Sequence, residues 1–104
     1  MGNQIFEKLM LLAKRNGIDV RFLPFKAYKG LLRADSNNAT IGIKSDMGFN
    51  EKTYTLAHEL AHYYLHSGNG DIIGGDRHAE YEEQADRAAK MLLAALAVGQ
   101  KGGA

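Results

Sequence analysis

The sequence predicts an α+β domain: an N-terminal helix, a small antiparallel β-sheet, a central helix and a C-terminal helix. Three observations carry this prediction. Apolar residues recur at helical spacing in three segments, near residues 3–15, 51–66 and 77–98. Between the first two lie short apolar runs separated by the turn formers Asp35-Ser36-Asn37-Asn38. At 104 residues the chain is one domain's worth, enough for a single modest core.

Each element has its own signal. Ile5, Phe6, Leu9, Leu12 and Ala13 make the apolar face of the first helix, with Asn3 as N-cap and Asn16-Gly17 as a stop. Ile18, Val20 and Phe22 alternate with Asp19 and Arg21, as in a strand that Pro24 ends or places at an edge. Ala27 to Ala34 and Ala39 to Lys44 flank the turn and read as a hairpin. Asn50 is expected to cap a helix from Glu51 to His66, which Ser67-Gly68-Asn69-Gly70 stops. Glycines continue through Gly74-Gly75, so residues 67–77 are predicted to be a loop. A last helix is expected from Arg77 to Val98. The domain then spans residues 1–98, with 99–104 a flexible tail.

Composition narrows the chemistry. Thirteen Lys and Arg against twelve Asp and Glu leave a net charge of +1, which gives no footing for nucleic acid or an anionic membrane. The chain has no cysteine, so disulfides, iron–sulfur clusters and thiolate zinc sites are excluded, and a metal must be held by His and carboxylate. Met1 to Met10 lack the features of a secretory signal, and no run approaches the roughly 20 apolar residues that span a bilayer. The expected location is the cytoplasm.

His58-Glu59-Leu60-Ala61-His62 stands out. Two histidines four residues apart on a helix share a face, with Cβ atoms about 5–6 Å apart. Both imidazoles can then reach one zinc at about 2.0–2.1 Å. Glu59 lies roughly 100° around the helix, off the ligand row but on the metal side. That placement suits a general base acting on a water beside the metal. Such strings also occur in helices that bind nothing. Here the helix is capped and flanked by Leu56, Ala57, Leu60, Ala61 and Leu65.

A catalytic zinc usually has three protein ligands. The candidates for the third are His66, His78, Glu80, Glu82 and Glu83. His66 is about 12 Å along the helix from His58, too far to share an ion, and is better read as a group that contacts the substrate or supports a ligand, or as a cation favoured at the helix C-terminus. Ala85, Ala89, Leu92 and Leu96 form a stripe whose backward extension meets Glu82. A carboxylate at the head of a buried face is costly unless it is paired, and a metal would pair it. Glu83 belongs to the row Glu83, Arg87, Lys90, a solvated face. His78 and Glu80, at the loop–helix junction, remain candidates. Asp86, one turn beyond Glu82, can hydrogen-bond the free ring nitrogen of a ligand histidine. Tyr63, Tyr64, His66, His78 and Tyr81 are candidates for oxyanion or substrate contacts.

The run Tyr54-Thr55-Leu56-Ala57-His58-Glu59-Leu60-Ala61-His62-Tyr63-Tyr64-Leu65-His66, followed by Glu82-x-x-Ala85-Asp86-x-x-Ala89 and Leu92-Leu93, resembles the ImmA/IrrE family of metallopeptidases. The resemblance covers about residues 50–93. It implies a cytoplasmic zinc peptidase of phages or mobile elements that cleaves a helix-turn-helix repressor. It implies His58, His62 and Glu82 as metal ligands, Glu59 as the base and Asp86 as the histidine's hydrogen-bond partner. The family's usual aromatic is replaced by Ala88, and its Met-Pro by Ala94-Ala95. Neither departure touches the metal-site residues. Two His and one Glu favour zinc, although manganese accepts the same ligand types. The alternative expectation is a non-catalytic regulator that binds a repressor or other protein, with a structural or vestigial metal site.

Overall fold

The computed structural model describes residues 3–35, 38–66 and 78–102. The side chains of Asn3, His66 and His78 and those of residues 98–102 lie outside that description. The loop expected at 67–77 and the centre of the 35–38 turn also lie outside the described residues. The element order is α1 (Asn3–Arg15), β1 (Ile18–Leu23), β2 (Gly30–Ala34), β3 (Ala39–Lys44), α2 (Phe49–His66) and α3 (His78–Gly102).

α1 buries Leu9 and Ala13 completely and packs Ile5, Phe6 and Met10 on the core. Leu12, expected on that face, is exposed; Met10, one turn from Phe6, packs there instead. The helix ends as expected. Gly17 takes a positive φ of 71°, and its N–H donates to the Lys14 carbonyl.

The fold is α+β, but the sheet is mixed rather than antiparallel, in the order β1-β3-β2. The β2–β3 hairpin is antiparallel as expected, pairing Leu32 with Ile41. β1 adds to the far side of β3 in parallel, pairing Val20 with Ile41. Burial explains the order. β3 buries Ala39, Ile41, Gly42 and Ile43, so it takes the centre, where both edges of its backbone are bonded. The hairpin occupies one side of β3 and leaves β1 the other. Gly42, unusual in a central strand, makes room for Phe25: a Cβ there would stand 2.8 Å from that ring.

α2 starts at Phe49, so Asn50 lies inside the helix rather than capping it. The Gly48 carbonyl accepts from the Lys52 N–H. Phe49 packs against Phe6 of α1, with ring centroids 5.4 Å apart and ring planes tilted by 52°. Leu56, Ala57, Leu60 and Ala61 bury the inner face of α2. α3 lays fully buried Ala85 and Ala89 in its interface, with Leu92, Leu93 and Leu96 packing on the core. α2 and α3 share the largest helix–helix contact, and small residues let them approach closely. α3 continues to Gly102, beyond the end expected at Val98.

Candidate metal centre

α2 supplies His58, Glu59 and His62 from a single turn, and α3 supplies Glu82. Glu82 Oε1 lies 3.0 Å from His58 Nε2, and Glu82 Oε2 lies 2.6 Å from His62 Nε2. One ligand atom from each of the three residues falls within 4.8 Å of the others. The two imidazoles meet edge to face, with centroids 4.8 Å apart. The trio expected from spacing and helical phase is therefore assembled by the α2–α3 contact.

Burial sets the electrostatics. His62 and Glu59 are buried, while His58 and Glu82 are partly open to solvent. Desolvation, with a further push from the Glu82 charge, raises the Glu59 carboxyl to about 8. For Glu82 the largest single influence is also desolvation, which raises its pKa. The charge of His62 and the hydrogen bond and charge of His58 together outweigh it, so Glu82 sits below its ordinary value.

These residues fit a divalent metal. Two imidazole nitrogens and a carboxylate, with no thiolate, are the donor set of catalytic zinc sites. Among the described residues His58 Nδ1 is buried without a hydrogen-bond partner, and the opposite ring atom, Nε2, faces the other donors. Tyr54, one turn before His58, lies tilted against its ring at 6.1 Å.

A cavity of about 510 Å³ opens beside the trio. Lys29 and Gly30 border it at the start of β2. Asn50, Glu51, Tyr54 and Thr55 line it along α2, and Asp86 joins Glu82 from α3. Lys29 Nζ pairs with Glu51 Oε2 at 3.4 Å on the rim. Asp86 pairs with Lys90 at 3.2 Å, and among the described residues His58 Nδ1 has no hydrogen-bond partner. An i,i+4 cation one turn away is the nearer attraction. Glu83 pairs with Arg87 on the solvated face, as expected. Tyr63 packs against the core, and Tyr64 is 86% exposed. The side chains of His66 and His78 lie outside the described residues.

Sequence reading overlooked Tyr54, Thr55 and Gly30. Tyr54 and Thr55 had a usable signal, because they precede His58 and Glu59 by four residues and so share their faces. Gly30 carried only the general mark of glycine in a strand, a place where another group comes close.

Two helices that bring two histidines and a glutamate together beside a buried glutamate define a metallopeptidase-like protein. The chain matches the IrrE N-terminal-like domain over residues 13–98, and it belongs to that peptidase family. Searches of curated proteins and of solved structures return no significant match. Among the described residues, no helix is long and apolar enough to cross a membrane.

Proposed function

We propose that the chain is a zinc-dependent endopeptidase of the cytoplasm that cleaves a helix-turn-helix repressor-type protein of a phage or mobile element. The observation that carries peptide hydrolysis is the placement of Glu59: buried, next to His58, and lining the same cavity as His58 and Glu82. A site that only held a metal for structure would have no use for a desolvated carboxylate at that point. The support for a repressor as substrate is the family resemblance of residues 50–93.

His58, His62 and Glu82 would hold the ion. When bound, it supplies Lewis acidity, polarising the scissile carbonyl and making water more acidic. The Glu59 carboxylate takes the proton of the attacking water and later delivers it to the leaving amine. Burial raises the affinity of Glu59 for a proton above that of an exposed carboxylate, which suits a group that accepts one from water. The cavity along α2 receives the substrate chain, with Tyr54 as its aromatic wall beside His58.

The test pairs the wild type with Glu59→Gln, each incubated with zinc and a cognate repressor. The wild type is expected to cut the repressor. Glu59→Gln should keep its zinc and lose about 10²–10⁴ in rate. A Glu59→Gln variant that relieves repression as well as the wild type would identify a non-catalytic regulator.

A further inference from the structure

Gly30 opens β2 and lies directly against α2, where Thr55 and Glu59 are one turn apart. A Cβ at position 30 would stand 2.5 Å from Thr55 Cγ2, 3.0 Å from Glu59 Oε2 and 3.1 Å from Glu59 Cγ. Non-bonded carbons rest at about 3.5–4.0 Å, so position 30 has no room for a side chain. Its backbone does not require glycine, since among the described residues only Gly17 has a positive φ. The requirement is space. It is met at a cost, because glycine weakens a strand.

We propose that Gly30 is a positioning residue for Glu59: the bare backbone of β2 is the wall that sets where the Glu59 carboxylate rests relative to His58, His62 and Glu82. This rests on Glu59 acting as the base. Glu59 is only 8% exposed and lies against β2 at this point. The gap left by the missing side chain has two neighbours with separable roles. Contact with the Thr55 methyl is a matter of packing between strand and helix. Contact with Glu59 is a matter of chemistry, because it acts on the group that moves the proton. A displacement near 1 Å at a reacting group costs on the order of 100-fold in rate.

The experiment compares the wild type, Gly30→Ala, Thr55→Ser, Gly30→Ala/Thr55→Ser and Glu59→Gln. Thr55→Ser deletes the methyl and keeps the hydroxyl. In that background a methyl at position 30 presses chiefly on Glu59. Four quantities are read: the melting temperature, zinc affinity by competition with a chromophoric chelator, the visible spectrum of the cobalt(II)-loaded protein, and turnover of a pool of quenched-fluorescence random peptides. Gly30→Ala and the double variant are expected to bind zinc within about threefold of their parents, because no ligand moves. Relative to Thr55→Ser, the double variant should melt at the same temperature. It should show an altered cobalt spectrum and turn over about 10-fold more slowly, with the loss in kcat and not in KM. Gly30→Ala alone should lose more.

A double variant with the spectrum and turnover of Thr55→Ser overturns the proposal. So does a Gly30→Ala protein whose defect is lost zinc. If no peptide in the pool is cut, the cobalt spectrum decides alone. Glu59→Gln separates the two ideas. Wild-type turnover in that variant removes the base, whereas an inactive Glu59→Gln beside unaffected Gly30 variants removes the positioning role.

Discussion

The Glu82 carboxylate on α3 lies 2.6 Å from His62 Nε2 on α2, and this contact ties together two helices that otherwise meet through alanine and leucine. Its second oxygen reaches His58 at 3.0 Å. Glu82→Ala removes the one donor that α3 brings to the trio among the described residues and leaves two histidines on a single helical turn. Zinc affinity should fall by at least about 100-fold, beyond what is lost when a mere support of a ligand is removed. Chelator competition measures it. Unchanged affinity would mean that the third donor lies elsewhere.

Much of this centre was legible in the sequence, because helical periodicity fixes side-chain direction. The four-residue step places His58 and His62 together, and the Ala85, Ala89, Leu92 stripe fixes the phase that brings Glu82 to the same interface. The hairpin was legible from its turn formers. The neighbour of β1 was not. Alternation at Ile18, Val20 and Phe22 shows a strand but does not say which edge it joins, and pairing with β3 follows from tertiary burial. Asp86 shows the same limit. Spacing puts it on the right face, but its choice of Lys90 is settled by a competing neighbour. Gly30 was opaque, because its importance comes from Thr55 and Glu59, more than twenty residues away in the chain.

The Glu59 carboxyl predicts a pH dependence of stability in the metal-free protein. Burial holds it near 8 in the folded state, against about 4.3 in an unfolded chain. Between those values the folded protein keeps a proton that the unfolded chain has released. The contribution of Glu59 is therefore fully present below about pH 4.3 and is lost as pH rises through about 8. Stability should decline from about pH 5 to about pH 8.5, and Glu59→Gln should flatten the decline. The variant should gain on the order of a few kcal/mol over wild type at the alkaline end. Glu82, with its lowered pKa, acts in the opposite sense. Its contribution is present above about 4.3 and fades as pH falls through its folded value. Urea melts from about pH 5 to about pH 8.5 measure the Glu59 effect, melts carried below about pH 4.3 measure that of Glu82, and parallel curves for wild type and Glu59→Gln would contradict the assignment.

Gly17 gives a prediction confined to the scaffold. Its φ of 71° lies in the left-handed region, and a Cβ there would touch nothing within 4 Å. Gly17→Ala is thus penalised through the backbone alone, by about 1–2 kcal/mol. That should lower Tm by several degrees for a domain of this size. Gly17→Asn should lose less, since Asn tolerates the same conformation. Zinc affinity should be unchanged in both, because Gly17 follows the end of α1 and a Cβ there meets nothing within 4 Å. A Gly17→Ala protein that melts with wild type would show that the α1 end relaxes freely.

Ala85 tests whether the spacing of two helices sets the metal centre. It is fully buried, three residues beyond Glu82 on the face that α3 presents to the core. Ala85→Leu forces a branched side chain into filled space, which costs about 1–3 kcal/mol in a close-packed interior. The room has to come from moving α3, and Glu82 moves with it. The variant should therefore lose roughly 10-fold or more in zinc affinity although every ligand is intact, an effect of the size seen when ligand supports are disturbed. Arg87→Ala is the control. Arg87 is exposed and pairs with Glu83 at 3.6 Å on the solvated face, so its removal should alter stability by less than about 1 kcal/mol and leave zinc affinity alone. Melting and chelator competition on the two variants give the comparison. An Ala85→Leu protein that is destabilised yet binds zinc like wild type would show that Glu82 follows His58 and His62 independently of helix spacing.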